Sequence, residues 1–288
     1  MNMRFSTLIK RELNRALRPF NARIDTLSAE RRERARLERL VREGRFERPA
    51  FPLAPSFANL DPQPILREVA SSFEAFKATQ HGSAGYKLAN NFFKSPDAEV
   101  LYAAMRLYRP RTVVEVGSGN STRLMRQAII DSGMECRIVA IDPDPRSDIA
   151  ALVDEFVCAN VEYSDAADFA RRLRPGDLLL IDSSHEIKTG NDVAFLYLNL
   201  IPLLAPGVLI HIHDMFLPYE MPRRFVVEYG WPWCEQYIVQ AMLPDFDVLW
   251  AGHYLERTLS DFASHFPLMG DGEASGLLLR KRISRSVD

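Results

Sequence analysis

The sequence predicts an α/β fold: a doubly wound, mainly parallel, seven-stranded sheet with helices on both faces. Three observations lead to this prediction. From about residue 97 onward, short apolar runs alternate with helical patterns. A glycine turn joins the first apolar run to a helix, and the run 177–181 (DLLLI) is apolar enough to be buried on both faces. Strands that alternate with helices form βαβ units, which produce parallel sheets.

The predicted elements fall into three regions. Residues 1–48 form a basic helical extension with helices at 3–18 and 29–43, residues 49–64 form a proline-rich linker, and residues 65–288 form the α/β domain. Apolar spacing within that domain predicts helices at 65–76, 97–107, 122–132, 164–172, 192–204 and 234–242. Strands are predicted at 112–116, 137–141, 155–158, 177–181, 208–212, 247–250 and 276–280.

The two ends of the chain differ in charge. Residues 1–48 carry 14 Lys and Arg against 7 Asp and Glu, whereas the remainder is net acidic. The acidic α/β region argues against a nucleic-acid groove, which should be basic. The basic extension is either a solvated helical segment or a weak contact to a membrane surface or a protein. The chain has no long apolar run and no secretory signal pattern, so we expect a cytoplasmic protein.

The turn after the first strand is the most informative motif. Gly117 and Gly119 allow a sharp turn and a close approach of the backbone to a ligand, and Ser121 or Thr122 can cap the next helix. The start of that helix offers free N–H groups to an anionic group. Asp142, at the end of the second strand, is placed to accept both hydroxyls of a ribose. Together these features predict a nucleotide cofactor.

The same turn disfavours one class of enzyme. A dinucleotide fingerprint would place a third glycine at position 122, which is Thr122 here. A nicotinamide or flavin oxidoreductase is therefore a weaker hypothesis.

The motifs resemble those of class I S-adenosylmethionine-dependent methyltransferases, a Rossmann-like family, and more narrowly a bacterial small-molecule type. The resembling stretches, in order, are NNFFKSPDAEVLY, VVEVGSGNST, AIDPDPR, LLLIDSSH and IHDMFLPYEMP. They lie between residues 90 and 222, and their combination is more specific than any one of them. The resemblance implies that S-adenosylmethionine is the cofactor. It also implies the residues that bind it: Glu115, Gly117, Gly119, Asn120, Ser121 and Thr122 near the methionine part, Asp142 at the ribose and Asn160 near the adenine.

Two later strand ends supply groups suited to catalysis. Asp182 and His185 follow the fourth strand, and His213 and Asp214 follow the fifth. Asp182 can face the cofactor amine, position a hydroxyl or hold a cation. We predict His185, His213 and Asp214 as catalytic residues, with a histidine as the base or a cation at Asp182 and Asp214 that acidifies the hydroxyl.

The identity of such a cation is left open by the residues. In related O-methyltransferases this location carries acidic residues that bind magnesium, and here His213 replaces one of the expected acids. Manganese, iron or zinc therefore suit the residues equally well. His211, inside an apolar strand, is interpreted as a core residue.

The resulting prediction is a methyltransferase (EC 2.1.1.-) that methylates a hydroxyl of a small molecule. The alternative is a catalytically inactive S-adenosylmethionine-binding module, docked through its basic extension. Asp182, His185, His213 and Asp214 together favour the enzyme, because a mere binding module does not need them.

Overall fold

A computed structural model describes residues 2–24 and 27–283 and divides the chain into two compact units, Met1–Phe46 and Glu47–Asp288. The first unit contains helices α1 (Asn2–Leu17) and α2 (Ser28–Arg42) and a short 3₁₀ turn at Arg18–Phe20. Among the residues described, no helix is both long and apolar enough to cross a membrane.

The second unit is a seven-stranded sheet surrounded by helices. Its strands are β1 Thr112–Val116, β2 Arg137–Ile141, β3 Glu155–Val157, β4 Leu178–Ile181, β5 Leu209–Ile212, β6 Phe246–Ala251 and β7 Leu277–Lys281. Its helices are α3 Gln63–Ala78, α4 Asp97–Tyr108, α5 Asn120–Ser132, α6 Ala166–Arg172, α7 Asp192–Phe195, α8 Ile201–Leu203, α9 Glu235–Met242, α10 Gly252–Thr258 and α11 Phe262–His265. The prediction of a doubly wound α/β fold is therefore confirmed.

The strand order places the functional region. The order is β3-β2-β1-β4-β5-β7-β6, with β7 antiparallel to both of its neighbours and the other pairs parallel. The chain moves outward from β1 to β3 and then returns to β4 on the other side of β1. This reversal opens a crevice at the carboxyl ends of β1 and β4, where doubly wound sheets bind their ligands.

Both faces of the sheet are covered. In β4, Leu179 and Ile181 pack into one apolar core, while Leu178 and Leu180 pack into the other. Successive side chains of a strand point to opposite faces, so a strand buried on both sides must be apolar throughout. This explains why 178–181 is an unbroken apolar run.

Three helix boundaries differ from prediction. Helix α5 begins at Asn120, so Ser121 and Thr122 lie in its first turn, where the Thr122 hydroxyl caps the helix by accepting from the backbone N–H of Gly119. Helix α6 is capped by Asp165, whose carboxylate accepts from the backbone N–H groups of Ala167 and Asp168. The helix predicted at 192–204 is divided by a π-helical turn at Leu196–Leu200. Apolar periodicity does not register a change in helical hydrogen bonding, so the sequence did not indicate this division.

The proline-rich region belongs structurally to the second unit. Phe57 is buried in one of the two apolar cores, and the backbone N–H groups of Ala50 and Phe51 donate to the carbonyl of Pro218. Residues 49–64, predicted as an extended linker, therefore pack against the α/β unit. The segment includes a 3₁₀ helix at Pro55–Asn59, and its apolar side chains gain free energy by leaving water.

Candidate functional site

A cavity of about 970 Å³ opens at the carboxyl ends of the parallel strands. It lies at the reversal of strand order and is lined by loops that follow β1, β2, β4 and β5. Its volume is near the upper end of the range of small-molecule and cofactor sites. The crevice expected from the topology is therefore present, with room for a cofactor and a second small molecule.

Gly117 turns the chain directly after β1. Its φ is +80°, a left-handed conformation that side chains rarely adopt. A Cβ atom at this position would overlap the backbone carbonyl of Asp182, which follows the neighbouring strand β4. Position 117 must therefore be glycine for two separate reasons, its conformation and the approach of β4. Gly119, by contrast, borders the cavity and has no atom within 4 Å of where a Cβ would lie.

Glu115 supports the turn from beneath. It is fully buried, and its carboxylate accepts from the Ser121 hydroxyl at 2.6 Å and the Thr122 hydroxyl at 2.5 Å. Thr122 in turn accepts from the backbone N–H of Gly119. Burial raises the pKa of Glu115 to about 8, although the two hydroxyls oppose this rise. Glu115 and Thr122 do not line the cavity, whereas Ser121 and Asn120 do.

Asp142 lines the cavity on the β2 side. One oxygen of its carboxylate accepts from both the backbone N–H and the hydroxyl of Ser118, and the other accepts from the backbone N–H of Asp144. These bonds fix the carboxylate against the glycine turn. Asn160 lies farther along the same cavity and donates to Glu162. The residues predicted for ribose and adenine thus border one continuous space with the turn.

Four side chains from two strand ends meet at the other side of the cavity. His185 Nε2 lies 3.4 Å from Asp182 Oδ1 and 3.6 Å from Asp214 Oδ2. His213 Nδ1 lies 3.6 Å from each of the same two oxygens. The carboxylates and imidazoles therefore alternate around a closed ring of four. We call Asp182, His185, His213 and Asp214 the carboxylate–imidazole cluster.

The backbone is strained at two members of this cluster. His185 and Asp214 have φ values of +59° and +56°, which are uncommon for residues other than glycine. The carbonyl of His185 accepts from the backbone N–H groups of Cys234 and Glu235, which holds the strained conformation. Such strain persists only where surrounding contacts determine it, and it concentrates at functional sites.

The cluster strongly shifts the protonation of its members. Burial alone would lower the pKa of His185, but the carboxylates of Asp182 and Glu235 outweigh it and raise that pKa to about 10. Burial likewise opposes the charge on His213, yet Asp214 and Asp182 raise its pKa well above the usual value. Conversely, burial disfavours ionised Asp182, but His213 and His185 hold its pKa well below the usual range.

These shifts alter the predicted roles of the histidines. The carboxylates favour the protonated form of both imidazoles in this arrangement, and a protonated imidazole cannot accept a proton from a substrate. His185 or His213 can serve as the general base only if the surrounding negative charge is first neutralised.

A bound cation would provide that neutralisation, and the cluster has the chemistry to hold one. Asp182, His185 and Asp214 present ligand atoms that all lie within 4.8 Å of one another. His213 Nδ1 is buried and has no hydrogen-bond partner of its own. Two carboxylates with two imidazoles form a donor set that suits manganese, iron or zinc better than magnesium.

The sequence did not reveal the residues that support the cluster. Glu235, 50 positions beyond His185, lies 2.8 Å from its Nδ1 and also accepts from the Tyr197 hydroxyl. Asp97, from the start of α4, lies 3.5 Å from His213 Nε2 and is held by the backbone N–H groups of Ser275 and Gly276. A metal-binding histidine typically has such a partner at its second nitrogen. No sequence motif marks Glu235, and although Asp97 lies within the stretch NNFFKSPDAEVLY, nothing in that stretch indicates its contact with His213, because the two come from distant elements.

An aromatic wall completes the cavity beside the cluster. Phe225, Trp231 and Trp233 line the cavity and contact one another, with the two indoles 4.4 Å apart. Trp233 also lies 4.4 Å from the His185 ring. The Phe93 ring contacts the His213 ring. His211 is fully buried, as predicted for a core residue, although neither of its ring nitrogens has a partner.

Residues 114–215, which contain the glycine turn, Asp142 and the cluster, match a protein-family model described as a methyltransferase domain. This stretch of the chain is therefore similar to methyltransferase domains. The Rossmann-like sheet that carries it is the expected fold.

Solved structures that resemble the chain were also found. The O-methyltransferase TomG of Streptomyces achromogenes, solved with S-adenosylmethionine and involved in tomaymycin synthesis, is 18% identical, with 79% of this chain and 94% of that chain covered and a TM-score of 0.39. An O-methyltransferase of Bacillus cereus, solved with S-adenosylhomocysteine, is 14% identical, with 75% and 91% covered and a TM-score of 0.39. With TM-scores below 0.5, neither structure assigns roles to residues of this chain. No curated protein matches the chain.

The first prediction concerns Gly117. We expect Gly117→Ala to lower the thermal midpoint sharply and to abolish binding of S-adenosylhomocysteine in calorimetry, because the added Cβ overlaps the Asp182 carbonyl. Gly176→Ala is the matched control: Gly176 also has a positive φ but no atom near its Cβ position. The control should lose only about 1–2 kcal/mol and keep its cofactor affinity. Equal effects of the two substitutions would contradict the proposed overlap.

The second prediction concerns pH. His185 has a folded pKa of about 10, above its unfolded value of about 6.5, so its contribution to stability is full below pH 6.5 and is lost as pH rises through 10. In chelator, this group should make the free energy of unfolding fall by about 1 kcal/mol per pH unit between pH 7.5 and 9.5, since a single proton bound only in the folded state contributes at most about 1.4 kcal/mol per unit. Glu235→Gln should reduce this slope, whereas Tyr197→Phe should retain most of it. Urea titrations at several pH values provide the measurement; a slope of zero in the parent protein would refute the assignment.

Proposed function

We propose that this protein transfers the sulfonium methyl group of S-adenosylmethionine to a hydroxyl oxygen of a small molecule. The observation that carries the proposal is the shared cavity, which has a cofactor-type turn at one side and the carboxylate–imidazole cluster at the other. A transfer of this kind needs donor and acceptor in line and a group that makes the hydroxyl nucleophilic. Both requirements have candidate residues within the one space.

The cofactor would occupy the side formed by β1 and β2. The Asp142 carboxylate would accept from the ribose hydroxyls, with Asn160 near the adenine. The backbone at Gly117 and Gly119 and the first turn of α5, with Asn120 and Ser121, would contact the methionine part. Glu115 and Thr122 would act indirectly, by fixing the shape of this turn. The sulfonium methyl would then be directed toward the cluster.

The acceptor would lie between the cluster and the aromatic wall. Phe225, Trp231 and Trp233 offer a flat apolar surface, so an acceptor with one flat or apolar face would fit beside them. These rings also exclude water from the reacting atoms. Asp182 and Asp214 would orient the acceptor's hydroxyl, or hold the cation that does so.

Charge neutralisation makes the chemistry possible at neutral pH. A divalent cation held by Asp182, Asp214 and His185 would lower the pKa of the acceptor's hydroxyl. With the negative charge of the two carboxylates neutralised in this way, His213 Nδ1 would accept the hydroxyl proton. The oxygen would bond to the methyl carbon as the carbon–sulfur bond breaks, and the products would be S-adenosylhomocysteine, the methyl ether and a proton that His213 passes to solvent.

A binding prediction tests the cofactor residues. Asp142→Asn should weaken S-adenosylhomocysteine binding about 10- to 100-fold, since hydrogen bonds to a charged group contribute about 1.5–3 kcal/mol each. Asp148→Asn, a change to an exposed acid six residues later that does not line the cavity, should have little effect. Calorimetry on both variants decides the matter, and an unchanged affinity in Asp142→Asn would remove this residue from the ribose site.

A turnover experiment tests the reaction itself. The protein is incubated with S-adenosylmethionine and a panel of phenols, sugars and polyketide alcohols, together with amines and thiols for comparison, and S-adenosylhomocysteine release is measured with and without Mn²⁺. We expect release above the acceptor-free rate for at least one hydroxyl compound, stimulated by Mn²⁺ and suppressed by chelator. Release only with amine or thiol acceptors would overturn the O-methylation proposal.

Variants of the cluster then separate binding from catalysis. His213→Ala should lose turnover by about 100-fold or more while it keeps its affinity for S-adenosylhomocysteine, because removal of a positioned proton acceptor typically costs about 10²–10⁴-fold. His211→Asn is the control. His211 lies two positions earlier in the chain, is also a buried histidine and does not line the cavity. Unchanged turnover in His213→Ala would exclude it from the mechanism.

A further inference from the structure

The first unit exposes apolar side chains at an unusual density. Five large apolar residues within positions 9–27 are each at least 46% exposed: Ile9, Leu13, Phe20, Ile24 and Leu27. Single exposed apolar residues are normal on any surface, but a concentrated group indicates a contact with something apolar.

The same segment is strongly basic. Residues 1–24 hold six basic residues and one acidic residue, a net charge of +5. Along α1 the apolar positions 9, 13 and 17 follow helical spacing, and the basic positions 11, 15 and 18 follow the same spacing on another side. One helix therefore presents an apolar face and a cationic face.

Asn14 fixes the shape of the segment. Its side-chain amide donates to the carbonyl of Ile24 at 2.8 Å, and its side-chain oxygen accepts from the backbone N–H of the same residue. Through the turn at Arg18–Phe20, this pair of bonds brings the chain back beside α1. Exposed Phe20 and Ile24 are thus held near the exposed side chains of the helix.

Helix α2 differs in its charge. Residues 27–48 carry eight basic and five acidic residues, and several form pairs within the helix, such as Arg34 with Glu38 and Arg36 with Glu33. Its charges therefore largely satisfy one another. Within the part of the first unit that the structure describes, the largest excess of positive charge coincides with four of the five exposed apolar residues in residues 2–24, which we call the basic amphipathic segment.

From this coincidence we infer that the basic amphipathic segment docks this protein on an anionic membrane surface. A helix with one apolar and one basic face lies in the plane of the lipid headgroups, with its apolar side chains inserted and its cations near the phosphates. Nucleic acid would use the cations but leave Ile9, Leu13 and Phe20 in water. A second copy would cover the apolar residues but bring two segments of like charge together.

Vesicle binding tests the inference on the full chain. Sedimentation with vesicles of phosphatidylcholine alone, and with about one-third phosphatidylglycerol, compares neutral with anionic lipid. We expect at least about tenfold tighter binding to the anionic vesicles, and a loss of most of that difference on raising salt from about 0.1 M to 0.5 M. Equal binding to both vesicles, or to neither, would overturn the inference.

Two variants assign the binding to the segment. Ile9→Glu with Leu13→Glu should reduce binding to anionic vesicles at least about tenfold, whereas Leu198→Glu with Leu203→Glu, a matched change of exposed leucines in the second unit, should not. If the first variant loses helical circular dichroism, Arg11→Gln with Arg15→Gln, which keeps good helix formers, should still reduce binding to anionic vesicles. Light scattering in lipid-free solution measures whether the protein forms a dimer. If it does, and if Leu13→Glu dissociates that dimer, the apolar face mediates self-association and the membrane proposal is overturned.

Discussion

The close approach of β1 and β4 at the reversal of strand order is the constraint on which the site depends. The two strands are paired along their length, and the backbone N–H of Asp182 donates to the carbonyl of Val116 at the end of that pairing. Gly117 follows Val116 directly and leaves no space for a side chain beside Asp182. One parallel pairing therefore fixes the cofactor-type turn and the first acid of the cluster relative to each other.

The next strand brings the other half of the cluster. Because β5 pairs with β4 in parallel, its carboxyl end lies beside Asp182, and the N–H of His213 donates to the carbonyl of Ile181. Alternation within β5 buries His211 and Ile212 in the sheet, and the chain then turns at Asp214, whose φ is positive. The turn directs the Asp214 carboxylate back toward His185 and His213. The four side chains of the cluster converge on one point because the paired strands fix the backbone positions from which they extend.

The charges within the cluster control the protonation of its two histidines. The surrounding carboxylates raise the pKa of both histidines and so favour their protonated forms. Buried charge is tolerated when it is paired in this way. In the mechanism that we propose, a cation would take the place of those protons. Glu235 and Asp97 hold the outer nitrogens of the histidines, which keeps the inner nitrogens directed at the centre.

The sequence by itself determined the fold class, the strand limits to within about a residue and the glycine turn, because these depend on local apolar periodicity and on the conformational freedom of glycine. It also predicted Asp182, His185, His213 and Asp214 as candidates, since each follows a strand. Only the tertiary structure decided that these four residues form a ring and that Glu235 and Asp97 support the histidines. It also decided that Glu115 and Thr122 lie beneath the cavity and that residues 49–64 pack on the sheet. Those facts depend on contacts between segments as far as 178 positions apart, such as Asp97 with Ser275, and local pattern carries no information about such contacts.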